Sequence, residues 1–375
     1  MKLLVAIPYF PPFMGGMEKH VKTILDGLKK EYKWDIVVVT SNHESKEYKE
    51  EIIDGIRIYR LPIQFKISNT PISLKWKNQI RKIVEKENPD VINGRGPVPY
   101  ISDVASSIAK EKGIPFVLGW HFPSMKKGII YYDVLISIYE NIFLKRMANN
   151  SKEIICSSDY AKETLFSNFK DKSTTINQGI NKKVFKPINL KKKSDILFVG
   201  NFSTEIKGLS YLLESLIEIK KKYPKTILTI AGEGNLKYYK NLIEKFDIVD
   251  NVRFTGKLNP NDLSKEYNQT KIFVLPSTNE NFPSTMLEAM LCKTPVIATK
   301  ISEIPRLIKS GHNGILINPR SPKEISDNVI NLLKNENLRK DIGIKGYNSV
   351  KNKFFWIDSI RKTNGVLTEV INKNG

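Results

Sequence analysis

The sequence predicts an α/β protein made of two doubly wound domains in succession. Three observations carry that prediction. Short runs rich in Val and Ile recur along the chain, helix-length amphipathic segments separate them, and the alternation pauses once near the middle. Continuous apolar strands alternating with helices indicate parallel sheets covered on both faces. In the first half the runs are 3–8, 35–40, 56–61, 91–93, 116–119 and 153–157. In the second half they are 196–200, 227–232, 252–256, 272–276, 295–299 and 314–317. A barrel of eight strand–helix units competes at this length. It is disfavoured by the polar pause at Lys186-Pro187 and the basic run Lys191-Lys192-Lys193, after which a fresh strand begins. A chain of 375 residues also exceeds what one hydrophobic core usually supports. The expected division is a first domain over 1–188 and a second over 189–354.

Composition narrows the partners. Hydrophobic content of 41% and charged content of 26% are ordinary for a globular chain. The net charge of +21 invites a nucleic-acid reading. Residues 1–188 carry 30 basic and 20 acidic side chains, and 189–375 carry 30 and 19. An excess so evenly spread is a general lysine bias, with no arginine-rich tail or helix-turn-helix signature. The expected partners are therefore acidic small groups such as nucleotide phosphates, or an anionic membrane surface, and no nucleic acid. Cys156 and Cys292 stand far apart among apolar neighbours, as buried thiols in a reduced compartment would. No secretory leader is expected at the N-terminus, and the apolar stretch 128–144 is interrupted by Asp133 and Glu140, too charged to span a bilayer. A cytoplasmic protein, with a possible peripheral place on the inner face of the membrane, follows. Within 129–148, the residues Asp133, Ser137, Glu140, Asn141 and Lys145 form one helical stripe with an apolar face opposite, expected to pack on the first sheet.

In open α/β sheets ligands bind beyond the C-terminal ends of the strands, so the loops after strands are where chemistry is sought. The first strand ends in a Pro-rich loop closing with Gly15-Gly16 before a helix, a place where backbone N–H groups can approach an anion. Neither this loop nor Ala231-Gly232-Glu233-Gly234 completes a dinucleotide fingerprint, which removes most support for an oxidoreductase. His121 follows the strand 116–119, where a neutral imidazole could bind a sugar hydroxyl or accept a proton. No other His or Cys stands at metal-ligand spacing, and no Asp-x-Asp motif occurs, so neither a zinc site nor any other metal is expected.

In the second half, Gly200-Asn201 opens a loop that reaches Lys207-Gly208 at a helix N-terminus, a good position for neutralising a diphosphate. The most informative segment is 276–290, in which a strand ends at Pro276 and a helix starts at Pro283 or Ser284. Glu280 lies in the loop before a positive helix end. Glu288 lies between Leu287 and Ala289, where a carboxylate is costly without a partner. Both can reach one ligand of nucleotide size, and carboxylates accept hydrogen bonds from vicinal hydroxyls.

The segment ENFPSTMLEAMLCKTPVIATKISEIPRLI closely resembles the donor-binding motif of family 4 glycosyltransferases. The resemblance extends to PYFPPFMGGMEKHV, to Trp120-His121, to GNFSTEIKG and to Phe354-Phe355-Trp356, and so covers nearly the whole chain. It implies the GT-B fold, with two facing Rossmann-like domains, an interdomain cleft, and a last helix over 355–375 that completes the first domain. It implies a retaining, metal-independent hexosyltransferase acting on a UDP- or GDP-linked sugar, with no cofactor besides that donor substrate. The acceptor would be a glycan, a lipid-linked molecule or a small molecule. Gly15 and Gly16 would face the donor, His121 would lie near the transferred sugar, and Lys207 would bind the diphosphate beside Gly200 and Asn201. Glu280 would contact the sugar, while Asn281, Phe282, Pro283 and Ser284 would present amides to it. Glu288 would bind the ribose hydroxyls. Asn201 stands where the family usually has Arg, which shifts leaving-group stabilisation onto Lys207 and the helix N-terminus. The family's outcome is commonly explained by same-face attack, so Glu280 is not assigned as a nucleophile. The competing readings are a nucleotide-sugar epimerase of the same fold and a donor-binding but inactive subunit.

Overall fold

The computed structural model describes every residue except Met14, Asn69, 123–129 and Gly375, and for 130–132 the backbone alone. The chain forms two compact units, Met1–Gly179 with Trp356–Gly375, and Ile180–Phe355.

The first unit is built on an eight-stranded sheet. Its strands are β1 (Lys2–Ala6), β2 (Asp35–Asn42), β3 (Lys49–Ile53), β4 (Ile56–Pro62), β7 (Val91–Gly96), β8 (Phe116–Trp120), β9 (Glu153–Cys156) and β10 (Ser173–Thr175), with β5 (Phe65–Ile67) and β6 (Thr70–Ile72) forming a separate hairpin. Their order is β10-β9-β8-β7-β1-β2-β4-β3, parallel except for β3. Leu4 of β1 stands between Val37 and Ile92, so the central strands are covered on both faces and read as unbroken apolar runs. The antiparallel β3 was not anticipated: its sequence, Lys-Glu-Glu-Ile-Ile, alternates weakly because it lies at the sheet edge. Asp54 and Gly55, at φ of 52° and 70°, close the two-residue turn into β4, and this Asp-Gly pair was the sequence signal for it.

The helix Gly16–Tyr32 buries Val21, Ile24, Leu25 and Leu28 on one stripe against this sheet. Beside it packs the last helix, Trp356–Asn372, which supplies Ile360, Leu367 and Val370 to the same core. The Trp34 indole donates to Asn364 at 2.8 Å, and the Ser359 hydroxyl donates to the Asn177 carbonyl at 2.8 Å. The sequence boundary at 188/189 lies later than the structural one. Ile180 and Phe185 belong to the core of the second unit, and Asn268 accepts the Ile188 N–H, so the polar run after 186 lies inside that unit.

The second unit has strands β11 (Ser194–Val199), β12 (Leu228–Ala231), β13 (Val252–Gly256), β14 (Thr270–Leu275), β15 (Val296–Thr299) and β16 (Ile315–Ile317), ordered β13-β12-β11-β14-β15-β16 and all parallel. Each sheet therefore has a point where the chain leaves one strand in opposite directions. In the first unit it lies between β1 and β7, and in the second between β11 and β14. Such a point splays the adjoining loops and leaves a crevice at the strand C-termini.

One expectation fails in the first unit. The helix Ile130–Tyr139 continues as a π-helical turn, Glu140–Leu144, and then as the helix Lys145–Asn150. Its apolar side is not laid on the sheet: Val134, Leu135, Ile138, Ile142 and Phe143 are exposed. Instead, the Tyr139 hydroxyl turns inward and donates to Asp103 at 3.0 Å, and Leu144, Met147 and Ala148 reach the core, with Tyr139 packed against it.

Because Leu367 comes from the last helix yet is fully buried in the core it shares with β1 and β2, it tests how the unit is closed. Leu367→Ala is expected to cost about 2–5 kcal/mol. Hydrogen exchange should show the loss in the amides of β1 and β2, with β11 and β14 unaffected.

Candidate functional site

In the second unit the loops after β11 and β14 meet. The first loop ends in a short 3-10 turn, Glu205–Lys207, stopped by Gly208 in the left-handed region at φ 67°. A side chain on Gly208 would also strike the Pro276 carbonyl, so only glycine fits here. The helix Leu209–Lys222 starts directly afterwards. The Thr278 N–H donates to the Ile206 carbonyl at 2.8 Å, fastening one loop to the other. Glu205 steadies the turn by accepting from the Ser210 hydroxyl at 2.6 Å and the Tyr239 hydroxyl at 3.0 Å.

This fastening brings Lys207 to Glu280. The Lys207 ammonium donates to the Glu280 carboxylate at 2.6 Å, and the Ser277 hydroxyl donates to the same oxygen at 3.3 Å. The lysine stem runs alongside Gly200, where a Cβ would sit in ordinary contact with Lys207 Cγ at 3.4 Å. Asn201 is exposed, and its side-chain oxygen accepts the Ser203 N–H at 2.9 Å, closing its own turn.

Phe282 is buried edge-on against Phe354, with ring centroids 5.5 Å apart, and Pro283 is buried beside it. Asn281 and Ser284 are half-buried, and the Ser284 N–H is already engaged with the Phe282 carbonyl at 2.9 Å. The helix Ser284–Leu291 buries Met286, Leu287, Ala289, Met290 and Leu291, which leaves Ser284, Thr285 and Glu288 on its less buried side. Glu288 is thus half-buried, and accepts from the Tyr267 hydroxyl at 3.1 Å. Glu205 and Tyr267 were missed in the sequence because each bonds a residue distant along the chain, Tyr239 and Glu288, whereas Ser277 lies only three residues before the Glu280 it bonds.

The first unit places its own polar group at the β1–β7 switch. Gly15 caps the helix Gly16–Tyr32, and Gly16 is exposed. The buried carboxylate of Glu18 accepts N–H groups at this helix start: burial pushes its pKa up, and the amides of Glu18 and Gly15 pull it back. One turn on, His20 lies 5.0 Å from His121, ring to ring. Burial pushes the His20 pKa down to about 3, and the Arg95 charge adds to it. Burial likewise holds His121 well below the ordinary histidine range, with His20 and Arg95 contributing. Both imidazoles are neutral at pH 7. Among the described residues no cluster of three or more His, Cys, Asp or Glu side chains is disposed to hold a metal ion.

The profile for Glycosyltransferase Family 4 matches residues 14–184, and that for Glycosyl transferases group 1 matches 180–349. The chain belongs to the family 4 glycosyltransferases. This glycosyltransferase is 29% identical over 365 residues to an uncharacterized glycosyltransferase of Methanocaldococcus jannaschii, covering 95% of each chain. It is 22% identical to the phosphatidylinositol N-acetylglucosaminyltransferase gpi3 subunit of Schizosaccharomyces pombe, covering 98% of this chain and 80% of that one. Among solved structures, an Anabaena protein crystallised with UDP and glucose superposes with a TM-score of 0.76 at 15% identity, covering 98% of this chain and 99% of that one. The glycosyltransferase has the GT-B fold of these neighbours.

The buried imidazoles make its stability pH-dependent. The folded pKa of His20 lies below the unfolded value of about 6.5, so the unfolded chain binds more protons between those values. Stability is complete above about pH 6.5 and falls as the pH drops toward 3. From pH 7 to pH 5, one such histidine removes roughly 2 kcal/mol. Urea midpoints measured across that range should fall less steeply in His20→Gln; an unchanged slope would exclude the buried imidazole as the cause.

Proposed function

We propose that this glycosyltransferase is a retaining, metal-independent hexosyltransferase using a UDP- or GDP-linked sugar. The observation that carries the reading is the Lys207–Glu280 pair at the β11–β14 switch point, beside the starts of two helices at Leu209 and Ser284. Departure of a nucleoside diphosphate builds negative charge on its oxygens, while positive charge develops at the anomeric carbon. A fixed ammonium and two helix N-termini stabilise the first of these charges in the transition state. An ammonium has three donors, so Lys207 can keep Glu280 and still reach phosphate. Glu280, held by Lys207 and Ser277, would accept from hydroxyls of the sugar, and Glu288 from those of the ribose. In support, the Anabaena neighbour was solved with UDP and glucose. We assign His121 to the sugar side as a neutral hydrogen-bonding group.

The acceptor we favour is lipid-linked, with the protein resting on an anionic membrane surface at the cytoplasmic side. The exposed residues Leu135, Ile138, Ile142 and Phe143 favour this, with Lys145 and Arg146 exposed directly beyond them. Apolar side chains next to cations suit an interfacial segment. The name of the Schizosaccharomyces relative, which contains a phosphatidylinositol substrate, agrees with it. Among the described residues no helix is long and apolar enough to cross a membrane.

Lys207→Ala and Glu280→Ala should each lower transfer from a radiolabelled donor to a lipid extract by about 10²–10³-fold. Glu288→Ala should mainly weaken nucleoside diphosphate binding in calorimetry. Near-normal transfer by the first two variants removes this site assignment, and an epimerised donor without transfer would replace it with the epimerase reading. For the membrane, sedimentation with phosphatidylglycerol vesicles is expected at low salt, reduced by added salt and by Leu135→Glu with Ile142→Glu. Absence of low-salt sedimentation would overturn it.

A further inference from the structure

Arg95 is the residue of the first unit that its architecture does not explain. It ends β7 at the β1–β7 switch point and is 2% exposed. Its guanidinium makes no ion pair among the described residues, and its buried Nε has no hydrogen-bond partner. Burial pushes its pKa down to about 10, with no carboxylate acting against that shift. A buried cation left without a counter-charge is strongly unfavourable, and proteins normally pair it or bind an anion to it.

The strands are shaped to keep this charge where it is. Arg95 stands opposite Gly119 of β8, and Gly96 opposite Trp120. A Cβ on Gly119 would lie 2.7 Å from Arg95 Cδ and Nη1, so the bare backbone of Gly119 is what makes room for the guanidinium. Around it are His20 and His121, both neutral and both further discouraged from protonation by the arginine itself. Among the described residues, Arg95 is thus a buried positive charge beside two neutral imidazoles, at the strand ends where sheets of this kind take ligands. A planar guanidinium matches the two oxygens of a carboxylate or phosphate.

We propose that Arg95 binds an oxyanion, a phosphate or carboxylate group, carried by the acceptor substrate. This rests on the reading of the second unit as the donor side. The acceptor is therefore an anionic molecule, and Arg95 selects it against neutral sugars.

The test is thermal denaturation with inorganic phosphate or acetate as the probe, in Lys207→Ala so that phosphate binding at the second unit does not contribute. Ligands that bind the native state raise its midpoint with concentration. Phosphate or acetate should raise the midpoint in a saturable way, the larger response showing which oxyanion is preferred. Adding Arg95→Met should abolish the response, while Arg95→Lys should retain part of it. Without anion, Arg95→Met should melt no lower than its parent, since it removes an unpaired buried charge. In the Lys207-intact protein, Arg95→Met should leave the midpoint shift by UDP or GDP unchanged. Loss of that nucleotide shift would move Arg95 to the donor and overturn its assignment to the acceptor. An absent phosphate and acetate response, or one that persists in Arg95→Met, would overturn the anion site, and neither result bears on the donor reading.

Discussion

The ion pair between Lys207 and Glu280 depends on strand order before it depends on either residue. β11 and β14 are neighbours in the sheet but far apart in sequence, and the chain leaves them in opposite directions. Their loops can therefore meet at the strand ends, and three features hold them there. Gly208 permits the left-handed stop, Thr278 bonds back to Ile206, and Lys207 reaches Glu280. A partly exposed ion pair contributes little to stability. Its consequence is positional: it keeps an ammonium in place and oriented before any ligand arrives, which is the preorganisation that stabilising a leaving group requires.

The two switch points differ in their electrostatics. In the second unit the cation has a carboxylate partner and stands among exposed or half-buried groups. In the first unit the Arg95 cation is buried, has two neutral imidazoles as neighbours, and the helix start nearby is already capped by the Glu18 carboxylate. The paired lysine can exchange part of its hydrogen bonding for phosphate at small cost. The buried arginine has nothing to exchange, and a bound anion would be a net gain there. The same supersecondary framework thus holds a paired cation in one unit and, among the described residues, an unpaired buried one in the other.

All twelve apolar runs became strands, most of them because a strand buried on both faces leaves a period-free signature in the sequence, though the partly buried edge strand β13 was legible too. The four strands that were missed lie at edges or in a small hairpin, where burial is partial and that signature is lost. The donor-side loops were legible through their glycines and their helix starts. Glu288, which has the partner its apolar neighbours called for, is less buried than they are for a geometric reason. Its sequence neighbours Leu287 and Ala289 are buried, but successive helical residues point about 100° apart, and Glu288 shares a side with Ser284 instead. The segment 129–148 was misjudged: the apolar stripe was visible, but which side met the protein was decided by Tyr139 and Asp103. Arg95 carried a signal of its own, a charge between two glycines at a strand end.

On the proposed function, Asn201 leaves the donor side to rely on Lys207 for its cation. The resemblance leads one to expect an arginine there, yet the asparagine is exposed and spends its oxygen on the Ser203 amide within its own turn. That bond shapes the start of the loop whose other end carries Lys207, so the residue contributes by conformation in place of charge. What an arginine would have neutralised falls to Lys207 and to the starts of the helices at Leu209 and Ser284. Helix N-termini act within about one turn, and they cannot follow a charge that moves. On that reading the diphosphate would have to be held close to the loop backbone, which would make the glycines and the inter-loop hydrogen bond as necessary to the chemistry as the lysine itself.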